Sequence, residues 1–536
     1  MNALIKRHWP LFISIGAYWA TVIVLIILST NVNNGYLIYP LDDTYIHMAV
    51  AKNAVLHHVW GVTKFEFTSS TSSPLWTFLL AITYVAFGVN SISPLILNVL
   101  FGTLVVLVSY LFIAKYFQDH LRTFIVLLGV VFVTPLPTLT LIGMEHVLHT
   151  LLSIFFVFLS ITALSTTAKQ HQSNFVLLIV VAPLLTSSRY EGMFMVFVVC
   201  VLFLVQRKIF YAMAIGIAAL LPIILYGIWS ISHGWYFFPN SILLKAHIPS
   251  YTLKGIIKLV GFDALNAIQQ NPHILILLIG SLAILLFQYL WKDPSLEELK
   301  HAQLIFVGSL LLHVQFASTG WFYRYEAYLV LLGIVVVSIA ANNLFVTKFG
   351  WKINNATVPH YTVALLLGFV IVSPFGSRAV HSFIETPQAA QNRFYEHIQP
   401  ARFIKQYYNN SVVAVNDIGA VAYFTDAKIL DVYGLGNIEP YFFKNRKAGY
   451  SKQDLYNWAH NNGAQIAFLQ FQWTEVRRRI PDEWKMVGQW DIPKNVVFAD
   501  TKVGIYAVDP SAKEELIQNL KTFTTEIPTN AAWHVE

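Results

Sequence analysis

The chain has 536 residues, 56% of them hydrophobic and only 12% charged, against about 25% charged in an average soluble domain. This excludes a soluble globular protein and points to a polytopic membrane protein, in which each span needs about 20 mostly apolar residues. The formal net charge of +7 is not a nucleic-acid signature, because Lys and Arg fall mostly in short loops between apolar runs, where they set orientation.

The chain opens "MNALIKRHWPLFISIGAYWATVIVLIILST", a basic start followed by a long apolar run with no A-x-A-like cleavage site. It is expected to be a retained first span. Further apolar runs fall near 73–89, 92–114, 123–142, 147–166, 175–188, 192–206, 209–232, 273–291, 302–317, 326–346 and 360–374. The single cysteine, Cys200, lies inside one of them, so no intrachain disulfide can form. From about residue 376 the chain turns mixed. Strand-like runs "SVVAVND", "AKILDVYG", "AQIAFLQ" and "VGIYAVD" appear, with helical patterns "PARFIKQYYNN" and "SKQDLYNWAHNN" among them. Alternating strands and helices predict a small α/β domain. The expected division is a membrane domain over 1–375 and an extracytoplasmic α/β domain over 376–536.

The span count turns on 73–89, "SPLWTFLLAITYVAFGV", which is short and opens at Pro74. If it lies at the interface and the N-terminus is inside, the inner loops carry Lys6, Arg7, Lys115, Arg122, Lys169, Arg207, Lys208, Lys292, Lys300, Lys348 and Lys352. The short outer loops then hold little beyond Arg189 and Arg324. The positive-inside rule thus favours about eleven spans, a cytoplasmic N-terminus and an outer C-terminal domain. This topology gathers the unusual polar residues on the outer face.

The first of these are Asp42 and Asp43 in "YPLDDTYIHMAVAKN". Carboxylates near a bilayer are costly unless solvated, paired or metal-bound. One reading is helix capping. The other is a general base with a partner that orients it or holds a divalent cation. Both hold at once if one Asp caps and the other works. Glu145 in "LIGMEHVLHT" suits a helix N-terminus, and His146 and His149 share a face without a closed metal spacing. Arg189 and Glu191 in "SSRYEG" form either a local ion pair or a cation held ready for phosphate. Lys245 in "FPNSILLKAH" and Arg324 in "WFYRYEAY" add cations at the same level. Alone each reads as a snorkelling side chain, but together they suit an anionic lipid head group. Trp235, Tyr236, Trp321, Phe322 and Tyr323 read as interfacial aromatics. In the α/β domain, Asn416 and Asp417 are expected at a strand's C-terminal end, where open α/β sheets bind ligands. "GLGN" lacks the third glycine of a dinucleotide fingerprint. The domain itself reads as a structural or glycan-contacting cap.

The order of one span, an outer loop with an acidic pair, a Ser-Pro-Leu-Trp and many further spans resembles the GT-C superfamily of membrane glycosyltransferases, which use polyprenyl-phosphate sugars. "LDDTYIHMAVAKN", "TSSPLWTFLLA", "GMEHVLHTLL", "SRYEGMFM", "FFPNSILLKA" and "NDIGAVAYFTDAKILDVYGLGN" are similar to the bacterial subgroup typified by mycobacterial terminal arabinofuranosyltransferases. The resemblance implies a polytopic α-helical GT-C-like fold and inverting transfer from a polyprenyl-phosphate donor to an envelope glycan, lipid or protein acceptor. The expected place is the outer face of a bacterial inner membrane. It implies Asp42 as the base, with Asp43 and Glu145 assisting or holding Mg, Mn or Ca. Arg189, Lys245 and Arg324 are expected at the donor phosphate, with Glu191, His146 and Tyr323 in support. His146, directly after Glu145, departs from the small polar residue expected there. The competing readings are a transporter or flippase of lipid-linked glycans, which predicts mid-span charges and repeats, and a non-catalytic envelope scaffold.

Overall fold

The computed structural model describes residues 2–117, 119–164, 171–245, 264–291, 297–344, 358–446, 448–492, 495–497, 501–524 and 532–535. Each apolar run read from the sequence is helical. In the first half the helices are α1 (Asn2–Val32), α2 (Asp42–His57), α3 (Pro74–Phe87), α4 (Ser93–Tyr116), α5 (His120–Phe132), α6 (Leu136–Ile142), α7 (His146–Leu164), α8 (His171–Ser188), α9 (Gly192–Val205), α10 (Ile209–Ser232) and α11 (Asn240–Lys245). The longer helices that follow are Pro272–Trp291, Glu297–Phe316, Ala327–Leu344 and Val358–Arg393. The chain is a multi-pass membrane protein. Among the described residues, seven helical segments are long and apolar enough to cross a bilayer. One of them, His120–Ile142, is α5 and α6 taken together. They are interrupted at "VTPLP", where Pro135 and Pro137 each lack an amide to continue the ladder.

Helix α3 has 14 residues, a length of about 21 Å at 1.5 Å per residue, short of the roughly 30 Å hydrocarbon core. Its start follows from "SSPLW". The Ser73 hydroxyl accepts the Trp76 amide at 3.2 Å, and Pro74 supplies a first-turn residue that needs no partner. Helices α7 and Ala327–Leu344 are among the most deeply buried of the long helices, and Glu145 and Arg324, just before their N-terminal ends, are buried in the protein.

The helix Val358–Arg393 passes through the expected boundary at 375/376 and continues as one π-helical turn, Phe394–Ile398, into the helix Gln399–Tyr407. Beyond it lies a six-stranded sheet in the order β2-β1-β3-β5-β4-β6. Strands β1 (Val412–Val415), β2 (Lys428–Asp431) and β3 (Ala464–Leu469) are parallel, with Val413 opposite Ile429 and Ile466. Strands β5 (Lys502–Ala507), β4 (Lys485–Asp491) and β6 (Ala532–Val535) complete the sheet in antiparallel pairing. The four strands expected from the sequence are present. The two additional ones, β4 and β6, have polar residues interleaved with few β-branched ones, so their sequence carries little strand signal.

Candidate functional site

The acidic pair on α2 is split by the fold. Asp42 is buried, and its carboxylate accepts the amides of Gly419 at 2.6 Å and Ala420 at 2.9 Å. These amides open the short helix Gly419–Phe424, which follows β1 as the expected strand-turn-helix unit. Lys52, near the other end of α2, donates to the carbonyls of Ala422 at 3.3 Å, Tyr423 at 2.8 Å and Thr425 at 3.3 Å. A carboxylate thus meets that helix's free amides and an ammonium its free carbonyls, each at the favourable end of the dipole. The contact is close enough that a Cβ on Gly419 would overlap the main-chain oxygen and carboxylate of Asp42. Asp42 therefore does cap a helix, but one 377 residues away in sequence.

Asp43, one step around the helix, is half-buried. It borders a cavity of about 290 Å³ on the membrane side and a second of about 400 Å³ beneath the C-terminal sheet. The first is lined by Arg189, Arg324 and Tyr325 and by apolar side chains including Phe194, Phe238 and Phe316. The second is lined by Tyr433, Trp473, Asp417 and Gln470. Asp43, Ser318 and Tyr325 belong to both.

The two arginines converge on one ring. The guanidinium carbons of Arg189 and Arg324 lie 5.5 Å and 4.9 Å from the centre of Tyr325, within cation–π range. Arg324 is 1% exposed. Its Nη2 donates to Asp43 Oδ2 at 2.6 Å and to the Tyr325 hydroxyl at 3.1 Å, while its buried Nε–H has no protein partner. Arg189 is held by Glu145 and Glu191, each at 2.6 Å, and lies 3.0 Å from His146 Nε2. Burial disfavours the charge of both arginines, yet Glu191 and Glu145 around Arg189, and Tyr325 and Asp43 beside Arg324, outweigh it and raise both guanidiniums above the usual value. Burial acts to raise Glu191 as well, but Arg189 brings it down to about 2.

Glu145 is placed by Gly143, whose left-handed φ of +74° ends α6 against the Tyr39 ring and turns the chain into α7. It is wholly buried behind Arg189, with His47 Nε2 at 3.4 Å. Tyr323 points elsewhere, donating to Glu385 at 2.6 Å. Lys245 closes α11, and its side chain lies outside the described residues. The sequence reading missed Tyr325, His47 and Lys52. Lys52 left one visible trace, a lone lysine within the otherwise neutral run "TYIHMAVAKN".

A second polar network joins the two halves. The π-helical turn brings Glu396 and His397 inward together. His397 lies 2.8 Å from Asp417 Oδ2 and 3.2 Å from Glu396 Oε2, with Arg393 Nη1 at 2.7 Å from its ring. Gln470 bonds Glu396 and Asp417. Burial and Arg393 oppose the imidazolium, but Glu396, Asp42 and Asp417 outweigh them and lift His397 to about 9. Burial raises Asp42, partly offset by His397. Burial also acts to raise Asp417, but its bond to His397 holds it below the usual carboxylate range.

Asp42, His397 and Asp417 offer ligand atoms within 4.8 Å of one another, the size of a metal site. Their present donors argue against that use. Both oxygens of Asp42 accept amides, and Arg393 Nη1 already lies 2.7 Å from His397 Nδ1 and 3.6 Å from Asp417 Oδ2. Asp43 and Glu145, the pair expected to hold a metal, each face an arginine at 2.6 Å. These donor sets fit guanidinium-centred networks better than a divalent ion.

The architecture has solved counterparts. It superposes on ArnT from Cupriavidus metallidurans bound to undecaprenyl phosphate, with a TM-score of 0.53 and 12% identity over 92% of this chain and 98% of that one. The apo state of the same protein matches equally. The chain has the GT-C fold. The apo oligosaccharyltransferase of Archaeoglobus fulgidus aligns at a TM-score of 0.48 and 10% identity, over 98% of this chain and 76% of that one. Residues 384–506 match a family described as Domain of unknown function (DUF8728). No curated protein sequence matches the chain. The matched segment takes in Arg393, Glu396, His397, Asp417 and Gln470, the C-terminal side of the junction network, while Asp42 lies outside it.

Proposed function

We propose that the protein is an inverting glycosyltransferase of a bacterial inner membrane, moving a sugar from a polyprenyl-phosphate donor to an envelope glycan, lipid or protein at the outer face. The observation that carries this reading is the position of Asp43 between two cavities of different character. The membrane-side cavity has apolar walls for the first prenyl units and two guanidiniums for a phosphate. The undecaprenyl phosphate bound by ArnT, the structural counterpart, supports a lipid of this kind. The cavity beneath the sheet, with aromatic and amide or carboxylate side chains, suits the acceptor.

In this mechanism the acceptor hydroxyl attacks the anomeric carbon while Asp43 takes its proton. The bond from that carbon to the phosphate oxygen breaks through an oxocarbenium-like state, whose positive charge the Asp43 carboxylate favours. The electron pair leaves with polyprenyl phosphate, and Arg189 and Arg324 meet the developing anion. Glu145 and Glu191 fix Arg189, so little reorganisation is needed as charge develops. We assign the role expected of Asp42 to Asp43: Asp42 is buried with both oxygens on the amides of Gly419 and Ala420, whereas Asp43, although paired with Arg324 through Oδ2, borders both cavities. No step is routed through a metal.

Purified protein given a panel of polyprenyl-phosphate sugars and an envelope extract is expected to release polyprenyl phosphate from one donor. Flipping of a lipid-linked glycan in vesicles without any release would instead establish the transporter reading.

A further inference from the structure

Between Ser318 and Ala327 the backbone takes a path that L-residues resist. Gly320, Trp321, Phe322 and Tyr323 have φ of +78°, +40°, +57° and +65°. Among the described residues there is no other run of three or more left-handed residues. Three of the four carry a Cβ, which crowds the following carbonyl in this conformation. Arg324 is the next residue, so the direction in which this turn exits decides where its guanidinium lies.

Two buried side chains hold the turn at both ends. Glu326 Oε2 accepts the Gly320 amide at 2.7 Å. Arg378, from the helix Val358–Arg393, donates through Nη2 to the Tyr323 carbonyl at 2.7 Å. The two side chains are joined to each other by Arg378 Nη1 and Glu326 Oε1 at 2.6 Å. Arg378 also donates through Nε to the Val133 carbonyl at 3.1 Å, in the break between α5 and α6, and lies 5.2 Å from the centre of the Tyr323 ring. Neither Glu326 nor Arg378 borders the two cavities at Asp43.

We propose that the Arg378–Glu326 pair is a positioning device for phosphate binding: it holds Gly320–Tyr323 left-handed and thereby sets Arg324 against Asp43 and Tyr325. The inference rests on the reading of Arg324 as a ligand of the donor phosphate. The fork of Arg378 is essential to it, since a lysine in its place keeps the charge but cannot reach Glu326, Tyr323 and Val133 in one planar arrangement.

The test is binding of undecaprenyl phosphate to the full-length protein in detergent, which needs neither acceptor nor turnover. Arg378→Lys is expected to weaken binding about tenfold, and Glu326→Gln, which keeps an acceptor for Gly320 but loses the ion pair, by a smaller factor. Two readouts separate positioning from general destabilisation. In an Arg324→Gln background Arg378→Lys should have no further effect. Trp321→Gly, at a half-exposed side chain, should restore at least threefold in the Arg378→Lys background, because glycine adopts the left-handed conformation freely. The inference is overturned if both clamp variants bind like wild type, if Arg378→Lys weakens the Arg324→Gln protein equally, or if Trp321→Gly restores nothing. Failure of wild type itself to bind would instead overturn the donor reading and the inference with it.

Discussion

Asp42→Asn should loosen the seat of the C-terminal domain. Asp42 makes two charge-assisted hydrogen bonds, to the amides of Gly419 and Ala420, each worth about 1.5–3 kcal/mol. Asparagine keeps one acceptor oxygen, so one bond survives in weakened, neutral form. Its NH2 group meets the other amide donor to donor, leaving that N–H buried and unpaired. The expected loss is about 2–4 kcal/mol, a rise in local opening of roughly 30- to 1,000-fold at 1.4 kcal/mol per factor of ten. Hydrogen exchange at the Gly419 and Ala420 amides reads this directly. Lys52→Met, which removes the ammonium at the far end of the same helix but keeps the apolar stem, should raise exchange there by a smaller factor. Asp43→Asn should leave those amides protected. Unchanged exchange at both amides in Asp42→Asn would refute the assignment of Asp42 to docking.

The junction should also be sensitive to alkali. His397 has a folded value of about 9 against about 6.5 when unfolded, so its contribution, about 3 kcal/mol, is fully present below pH 6.5. It fades as pH rises through 9, and denaturant midpoints measured from pH 6 to 10 should fall over that window; a flat profile would contradict the network. Transfer activity should persist in EDTA, because Asp43 and Glu145 are committed to arginines; a loss restored by Mg, Mn or Ca would overturn this. Glu145→Gln leaves Arg189 with one carboxylate and breaks a buried pair, a change of about 3–5 kcal/mol. It should raise KM for the lipid donor and lower the unfolding temperature, and an unaltered KM would remove Glu145 from the site.

Much of the fold was legible because membrane helices announce themselves in composition. Each apolar run became a helix, and the strand-turn-helix around Asn416 and Asp417 followed from an apolar run ending in turn residues. Strands β4 and β6 were not legible, because sheet pairing rather than intrinsic preference makes them strands. The site was half legible. The acidic pair, the "GMEH" and "SRYEG" corners and Arg324 could be gathered on one face by charge counting alone. That Asp42 is taken up by a helix start could not be read from the sequence, since its partners Gly419 and Ala420 are 377 and 378 residues away. The ring of Tyr325 between two guanidiniums has the same cause. Nothing local marks it, and only tertiary packing brings Arg189 to it.

The most direct test of the account is release of polyprenyl phosphate from a turned-over donor by Asp43→Asn beside Asp42→Asn, both confirmed as folded and able to bind undecaprenyl phosphate. The account predicts that Asp43→Asn loses transfer by about 100-fold or more, the scale of a general base, while Asp42→Asn retains a substantial fraction. Full transfer by Asp43→Asn, or its abolition only in Asp42→Asn, would contradict it.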